Sequence, residues 1–141
     1  MAASPEELLR RVFNEVVADH VLRPRNLGEM AKPSGCGRTS GDCDTLAVWI
    51  KVADNVITET SFEVEGCAAT IACGSMVTEL ARGKSLAEAM ALDEQALMDA
   101  LGGLPEGNRH CATLALETLR AAVKDYIAYR REPWRRAYRK S

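Results

Sequence analysis

Five cysteines, at positions 36, 43, 67, 73 and 111, are the residues most capable of chemistry in this chain of 141. Thiolate is the form of cysteine that binds metal or attacks sulfur, and a helix N-terminus favours it through its free N–H groups and dipole. Cys67 stands between a strand pattern and the helix pattern that follows it, and Cys111 stands in the first turn of the last helix pattern. On this argument both thiols are expected to be lowered. Cys43 closes a glycine-rich segment just before the first strand pattern. Asp44 follows Cys43 and His110 precedes Cys111, so a carboxylate and an imidazole stand beside two of the thiols. Carboxylate, imidazole and thiolate together suit zinc or iron. Tight Cys-x-x-Cys pairs of a structural zinc site are absent, and widely spaced single ligands suit a site that must fill and empty.

Each of these residues also has a plainer reading. His110 could be a polar residue opening a helix toward water, and Asp44 could cap a turn. Cys73 sits among apolar helix neighbours and reads as core. Cys36, in Gly35-Cys36-Gly37, reads as exposed or mobile and could be a spare thiol.

The elements that must position these residues follow from local signals. Ser4, Pro5 and Glu7 announce a helix through an N-cap, an N1 proline and a capping box. Leu8, Leu9, Val12, Phe13, Val16 and Val17 continue it as one apolar stripe to about Val21, with a break at Pro24. Residues 23–44, rich in Gly and Pro, read as a long loop. Leu46, Val48, Ile50 and Val52 alternate with Ala47, Trp49 and Lys51 as a strand, Asp54-Asn55 is a turn, and Val56 to Glu65 is a second strand of an antiparallel hairpin. Residues 68–82 read as a helix burying Ile71, Met76, Val77 and Leu80, with Gly83 beyond its end. Ser85 caps Leu86 to Met90, and Asp93 caps Glu94 to Leu101. A loop over 104–108 leads into a long helix from Arg109 or His110 to about Arg131, with Pro133 beyond. The order of helix, sheet and helices predicts an α+β sandwich, with helices on one face of a small antiparallel sheet.

Composition sets the frame. Length and 47% hydrophobic content fit one domain, assigned to residues 1–129. Residues 130–141 form a tail with six basic residues and one acid; it carries +5, leaving −7 on residues 1–129 within the net −2. An acidic body argues against nucleic acid as main partner. No apolar run approaches the roughly 20 residues a membrane helix needs, and the N-terminus lacks signal-peptide order. A cytoplasmic setting is expected, where thiols stay reduced and serve metal or sulfur chemistry. Trp134 and Tyr138 suggest that the tail packs on something such as another subunit.

Several segments, in order, resemble the IscU/NifU-type iron–sulfur cluster assembly scaffolds over roughly residues 5–128. They are Arg23-Pro24-Arg25-Asn26-Leu27-Gly28, Gly66-Cys67-Ala68-Ala69-Thr70-Ile71-Ala72 with Cys73-Gly74-Ser75-Met76, Gly83-Lys84-Ser85-Leu86-Ala87-Glu88-Ala89, and Leu104-Pro105 followed by His110-Cys111-Ala112. The resemblance implies a three-stranded antiparallel sheet packed by helices, and a scaffold rather than an enzyme. It implies iron binding, sulfur taken from a cysteine desulfurase, a transient 2Fe–2S cluster, and its transfer to acceptor apo-proteins by a monomer or weak homodimer. The implied cluster cysteines are Cys43, Cys67 and Cys111, with Asp44 and His110 completing the metal ligands and Cys111 as the persulfide acceptor. Zinc is an alternative occupant, and the alternative function is a zinc-bound sulfur relay working with the desulfurase.

Two departures stand out. The family's first motif is Cys-Gly-Asp. Here Asp42-Cys43-Asp44 keeps the aspartate in register and moves the cysteine one place later, which makes Cys36 an alternative first ligand. Where well-known members carry Pro-Pro-Val-Lys, read by a dedicated chaperone, this chain has Pro105-Glu106-Gly107-Asn108.

Overall fold

The computed structural model describes residues 4–41 and 44–131. Cys43 and the tail residues 132–141, with Trp134 and Tyr138, lie outside the described residues. The elements are α1 (Pro5–Val12), α2 (Glu15–Leu22), β1 (Gly35–Ser40), β2 (Thr45–Ala53), β3 (Val56–Glu65), α3 (Ala68–Ala81), α4 (Leu86–Ala91), α5 (Glu94–Leu101) and α6 (Arg109–Arg131), with a 3-10 turn over Glu106–Asn108.

The hairpin forms as its alternation predicts. Asp54 and Asn55 both take positive φ, +53° and +62°, which is the two-residue turn whose twist matches antiparallel strands. β1 adds on the far side of β2, so the sheet among the described residues runs β1-β2-β3, all antiparallel. Leu46, Val48 and Ile50 of β2 and Phe62 of β3 are fully buried and belong to one core with α3 and α6.

β1 corrects the long-loop reading of residues 23–44. Gly-Cys-Gly-Arg-Thr-Ser carries little intrinsic strand preference, and two glycines weaken a strand further. The reason for the glycines is α6. A Cβ on Gly35 would lie 2.4 Å from the Ala122 carbonyl oxygen, and one on Gly37 would lie 2.3 Å from that of Thr118. Backbone meets backbone here, and tertiary contact overrides propensity. Another part of the expected loop pairs too. Asn26 accepts the Phe62 N–H at 2.9 Å and Gly28 donates to the Phe62 carbonyl at 2.8 Å, which covers the free edge of β3.

The single N-terminal helix read from the sequence is two helices. Phe13 and Asn14 are extended, and Asn14 recaps the chain by accepting the Val17 N–H at 2.9 Å. Its amide also donates to the carbonyls of Leu101 and Gly103 at 2.9 and 3.1 Å. Those carbonyls end α5, where intrahelical partners run out, so a distant demand breaks the N-terminal helix. The apolar stripe is not wholly buried either. Leu8 is 51% exposed and Val12 62%, whereas Val17 is buried.

Local capping does succeed for α4 and α5. Ser85 and Glu88 form the reciprocal capping box, and Asp93 accepts the Ala96 N–H. α3 is more deeply buried than predicted, with ten of its 14 residues inside. Small residues make this possible. A Cβ on Gly74 would lie 2.8 Å from the Phe62 ring, so sheet, α2, α5 and α6 all close onto a thin helix. No helix among the described residues is long and apolar enough to cross a membrane.

Candidate metal and sulfur centre

Three chain segments end at one place. β2 begins just after Asp44, β3 turns through Gly66 and Cys67 into α3, and α6 opens with Arg109, His110 and Cys111. Cys67 is the N-cap of α3, and its sulfur lies 3.3 Å from Thr70 Oγ1, on the side that faces α6. Cys67 Sγ lies 3.9 Å from Cys111 Sγ. His110 Nε2 is 3.5 Å from Cys111 Sγ and 3.7 Å from Asp44 Oδ2. Asp44, His110 and Cys111 thus form one group of potential ligands, and Cys67 joins it through Cys111.

Neighbours fix each donor. Asp44 is 6% exposed and its Oδ1 accepts the Cys67 N–H at 3.2 Å. Its place depends on Gly66, where a Cβ would come within 2.3 Å of that same oxygen. His110 Nδ1 faces the Gly107 carbonyl at 3.1 Å. A carbonyl only accepts, so Nδ1 carries the donated proton, and in that tautomer the lone pair of Nε2 is left to bind an ion. Ligating histidines are commonly oriented in this way.

The distances suit a tetrahedral ion. Metal–sulfur bonds of about 2.3 Å and metal–nitrogen bonds of about 2.0 Å separate two ligand sulfurs by about 3.8 Å, and a sulfur from a nitrogen by about 3.5 Å. The observed 3.9 and 3.5 Å agree. The Cys67–Cys111 and Cys111–His110 pairs therefore each stand at the spacing of two ligands to one iron or zinc ion. Asp44 and His110 also line an open cleft of about 610 Å³ with Ser40, Thr113 and Leu114, so the centre is reached from solvent.

The two thiols differ. Burial pushes Cys67 up, but hydrogen bonds from the Thr70 hydroxyl and backbone, from Cys111 and from the Ala69 backbone outweigh it and hold the thiol below its ordinary range. Cys111 departs from the expectation that a helix start lowers it. Its burial dominates, the Thr70 hydrogen bond opposes, and the nearby charges of Cys67 and Asp44 add to the rise, to about 11. Cys111 is 0% exposed, so low dielectric defeats the helix dipole. In metal-free protein at pH 7.5, limiting iodoacetamide is expected to modify Cys67 at least about tenfold faster than Cys111. The thiolate fraction changes tenfold per pKa unit, and lower intrinsic nucleophilicity gives back about half of that gain. Peptide mass mapping of the alkylated chain checks the order; equal rates would contradict it.

The other cysteines lie elsewhere. Cys73 is 0% exposed inside α3, as the core reading has it, and burial together with the charges of Cys111 and Cys67 pushes its thiol far up. Cys36 is half-buried in β1 rather than in a mobile segment. It pairs with Trp49, and its N–H donates to Asp125 of α6 at 2.9 Å. Four residues, roughly 13 Å of strand, separate it from Ser40 at the site end of β1. Two participants were not singled out from the sequence. Gly66 makes room for Asp44, and the buried Thr70 touches both sulfurs. Thr70 follows Cys67 by three residues, a spacing that puts both on one side of a helix start and could have flagged it.

Residues 12–132 match the family model described as NifU-like N terminal domain. The iron-sulfur cluster assembly scaffold protein IscU 1 of Archaeoglobus fulgidus is 41% identical over 118 residues, which is 82% of this chain and 77% of that protein. The scaffold protein IscU of Aquifex aeolicus is 38% identical over 119 residues, 82% of this chain and 76% of that one. Among solved structures, a nitrogen-fixing NifU-like protein (N-terminal) from Brucella abortus superposes with a TM-score of 0.68 at 17% identity, covering 86% of this chain and 98% of its own. That structure speaks for the α+β fold with its three-stranded sheet. With the family model spanning most of its length and these relatives agreeing, the chain belongs to the NifU-like N-terminal domain family.

Proposed function

We propose that this protein is an iron–sulfur cluster assembly scaffold. It binds iron, accepts sulfur from a cysteine desulfurase, builds a 2Fe–2S cluster and passes it to acceptor apo-proteins in the cytoplasm, acting as a scaffold and not as an enzyme. One observation carries this reading. Two thiols 3.9 Å apart stand with a histidine nitrogen and a carboxylate at a solvent-reached corner where three segments end. The relatives named as IscU scaffolds support it. Cys67, Cys111, His110 and Asp44 supply ligands, and Cys43, next in sequence to Asp44, completes the thiol set, with Cys36 the alternative. Iron and sulfide are cargo here. The protein's own part is to hold soft thiolates and a neutral imidazole at ligand spacing.

Anaerobic incubation of the purified chain with ferric iron and sulfide is the test. A 2Fe–2S absorption spectrum, with acid-labile sulfide matching iron, is the expected result. No cluster under any such condition sinks the reading.

The ligand spacing of the Cys67–Cys111 and Cys111–His110 pairs favours one second reading, a zinc-bound sulfur relay. Zinc would hold the centre and a cysteine would carry persulfide from desulfurase to acceptor, with Cys111 the acceptor that the sequence resemblance suggests. Tightly bound zinc, desulfurase stimulation and no cluster would together select it. Unchanged sulfur uptake in Cys111→Ser would remove Cys111 from that role.

A further inference from the structure

Thr70 is the side chain that the chemistry above leaves unused. It is 0% exposed, in the first turn of α3, three residues after Cys67. Its Oγ1 lies 3.3 Å from Cys67 Sγ and 3.4 Å from Cys111 Sγ. One threonine hydroxyl has a single proton and two lone pairs. It donates to one sulfur and can accept from the other, and rotation about χ1 is not needed to exchange the two.

We propose that Thr70 is a positioning residue of the metal and sulfur centre, its hydroxyl spanning Cys67 and Cys111 and holding their sulfurs at the spacing a single ion requires. The inference rests on the ligand assignment above and deepens it. Cys67 lies on the N-cap of one helix and Cys111 in the first turn of another, so no backbone hydrogen bond between those helices sets their separation. Without the hydroxyl, the two sulfurs would face each other with only their weak mutual contact at 3.9 Å. With it, both are tied to one atom fixed by α3. Hydrogen bonds from outside the ligand set orient ligands in this way, and losing one commonly costs ten- to a hundredfold in metal affinity.

The hydroxyl and the methyl group of Thr70 can be separated. Thr70→Val keeps the shape and removes the hydroxyl; Thr70→Ser keeps the hydroxyl and leaves a small void. Zinc affinity is measured by competition with a chromophoric chelator on the full chain, and the sulfur-to-metal charge-transfer band is recorded with cobalt(II). The expectation is that Thr70→Val binds zinc about ten- to a hundredfold more weakly than the parent and shifts the cobalt band. Thr70→Ser should stay within about threefold, with the band retained. A merely structural role predicts the opposite order, because the serine variant has lost packing and the valine variant has not. Valine binding zinc like the parent, serine failing like valine, or a parent chain that takes up neither ion would each overturn the proposal. Zinc and cobalt are used alone, without sulfide. A parent that shows the valine effect but builds no cluster keeps this proposal and loses the scaffold reading, and a parent that builds a cluster without the valine effect does the reverse.

Discussion

Gly37→Ala is expected to lower the thermal unfolding midpoint by roughly 10 °C, a loss of about 3 kcal/mol for a domain of this size. The added Cβ would lie 2.3 Å from the Thr118 carbonyl oxygen and 2.6 Å from the Ala122 N. Both are backbone atoms in the middle of α6, so no rotamer change relieves the contact. Either α6 lifts off β1 or β1 bends away from β2. Lifting opens the core at Leu119 and Val123, which are fully buried. Bending strains the β1–β2 ladder, which runs from Gly35 opposite Ile50 to Ser40 opposite Thr45. Gly107→Ala is the control, since a Cβ there meets nothing within 4 Å and its φ is not positive. Differential scanning calorimetry of the two variants decides the matter; equal midpoints would mean that α6 does not press on β1. The site should suffer as well, because Gly41, just beyond β1, donates its N–H to the Asp44 carbonyl at 2.7 Å.

The second large effect is chemical. Cys67→Ser and Cys111→Ser are each expected to reduce reconstituted 2Fe–2S absorbance at least about tenfold, because a serine hydroxyl stays protonated near neutral pH and is a hard oxygen donor where thiolate is the competent ligand. Folding should be little disturbed. At position 111 the new hydroxyl would lie near the Thr70 hydroxyl, so the buried oxygen has a hydrogen-bond partner at hand. At position 67 the residue is exposed and a serine is a favoured N-cap, so α3 gains rather than loses. Retained circular dichroism with lost absorbance is the expected pair of results. A full cluster in Cys111→Ser would exclude Cys111 as a required ligand, and the shared 3.9 Å spacing would then have another purpose.

What the sequence made legible follows from where the information lies. The α4 and α5 boundaries were readable because Ser85, Glu88 and Asp93 cap helices within three residues of themselves. β2 and β3 were readable because alternation and the Asp54-Asn55 turn are local. β1 was not, since its glycines answer to carbonyls more than 80 residues away on α6. The break at Asn14 was hidden for the same reason, its partners being Leu101 and Gly103. At the centre, Cys67, Cys111, His110 and Asp44 could be named from residue type and neighbouring elements. The thiol asymmetry could not. Helix position is visible in sequence, but the burial of Cys111 that outweighs it is a property of the packed core.

α6 is a single rod whose first turn carries Cys111 and whose last residue is Arg131. Twenty residues of helix at 1.5 Å each put roughly 30 Å between them. The reactive end and the cationic end are thus held at opposite poles by one stiff strut. Ion pairing at Arg130 or Arg131 is therefore screened from the thiols, because about 30 Å is roughly three Debye lengths at 0.1 M salt.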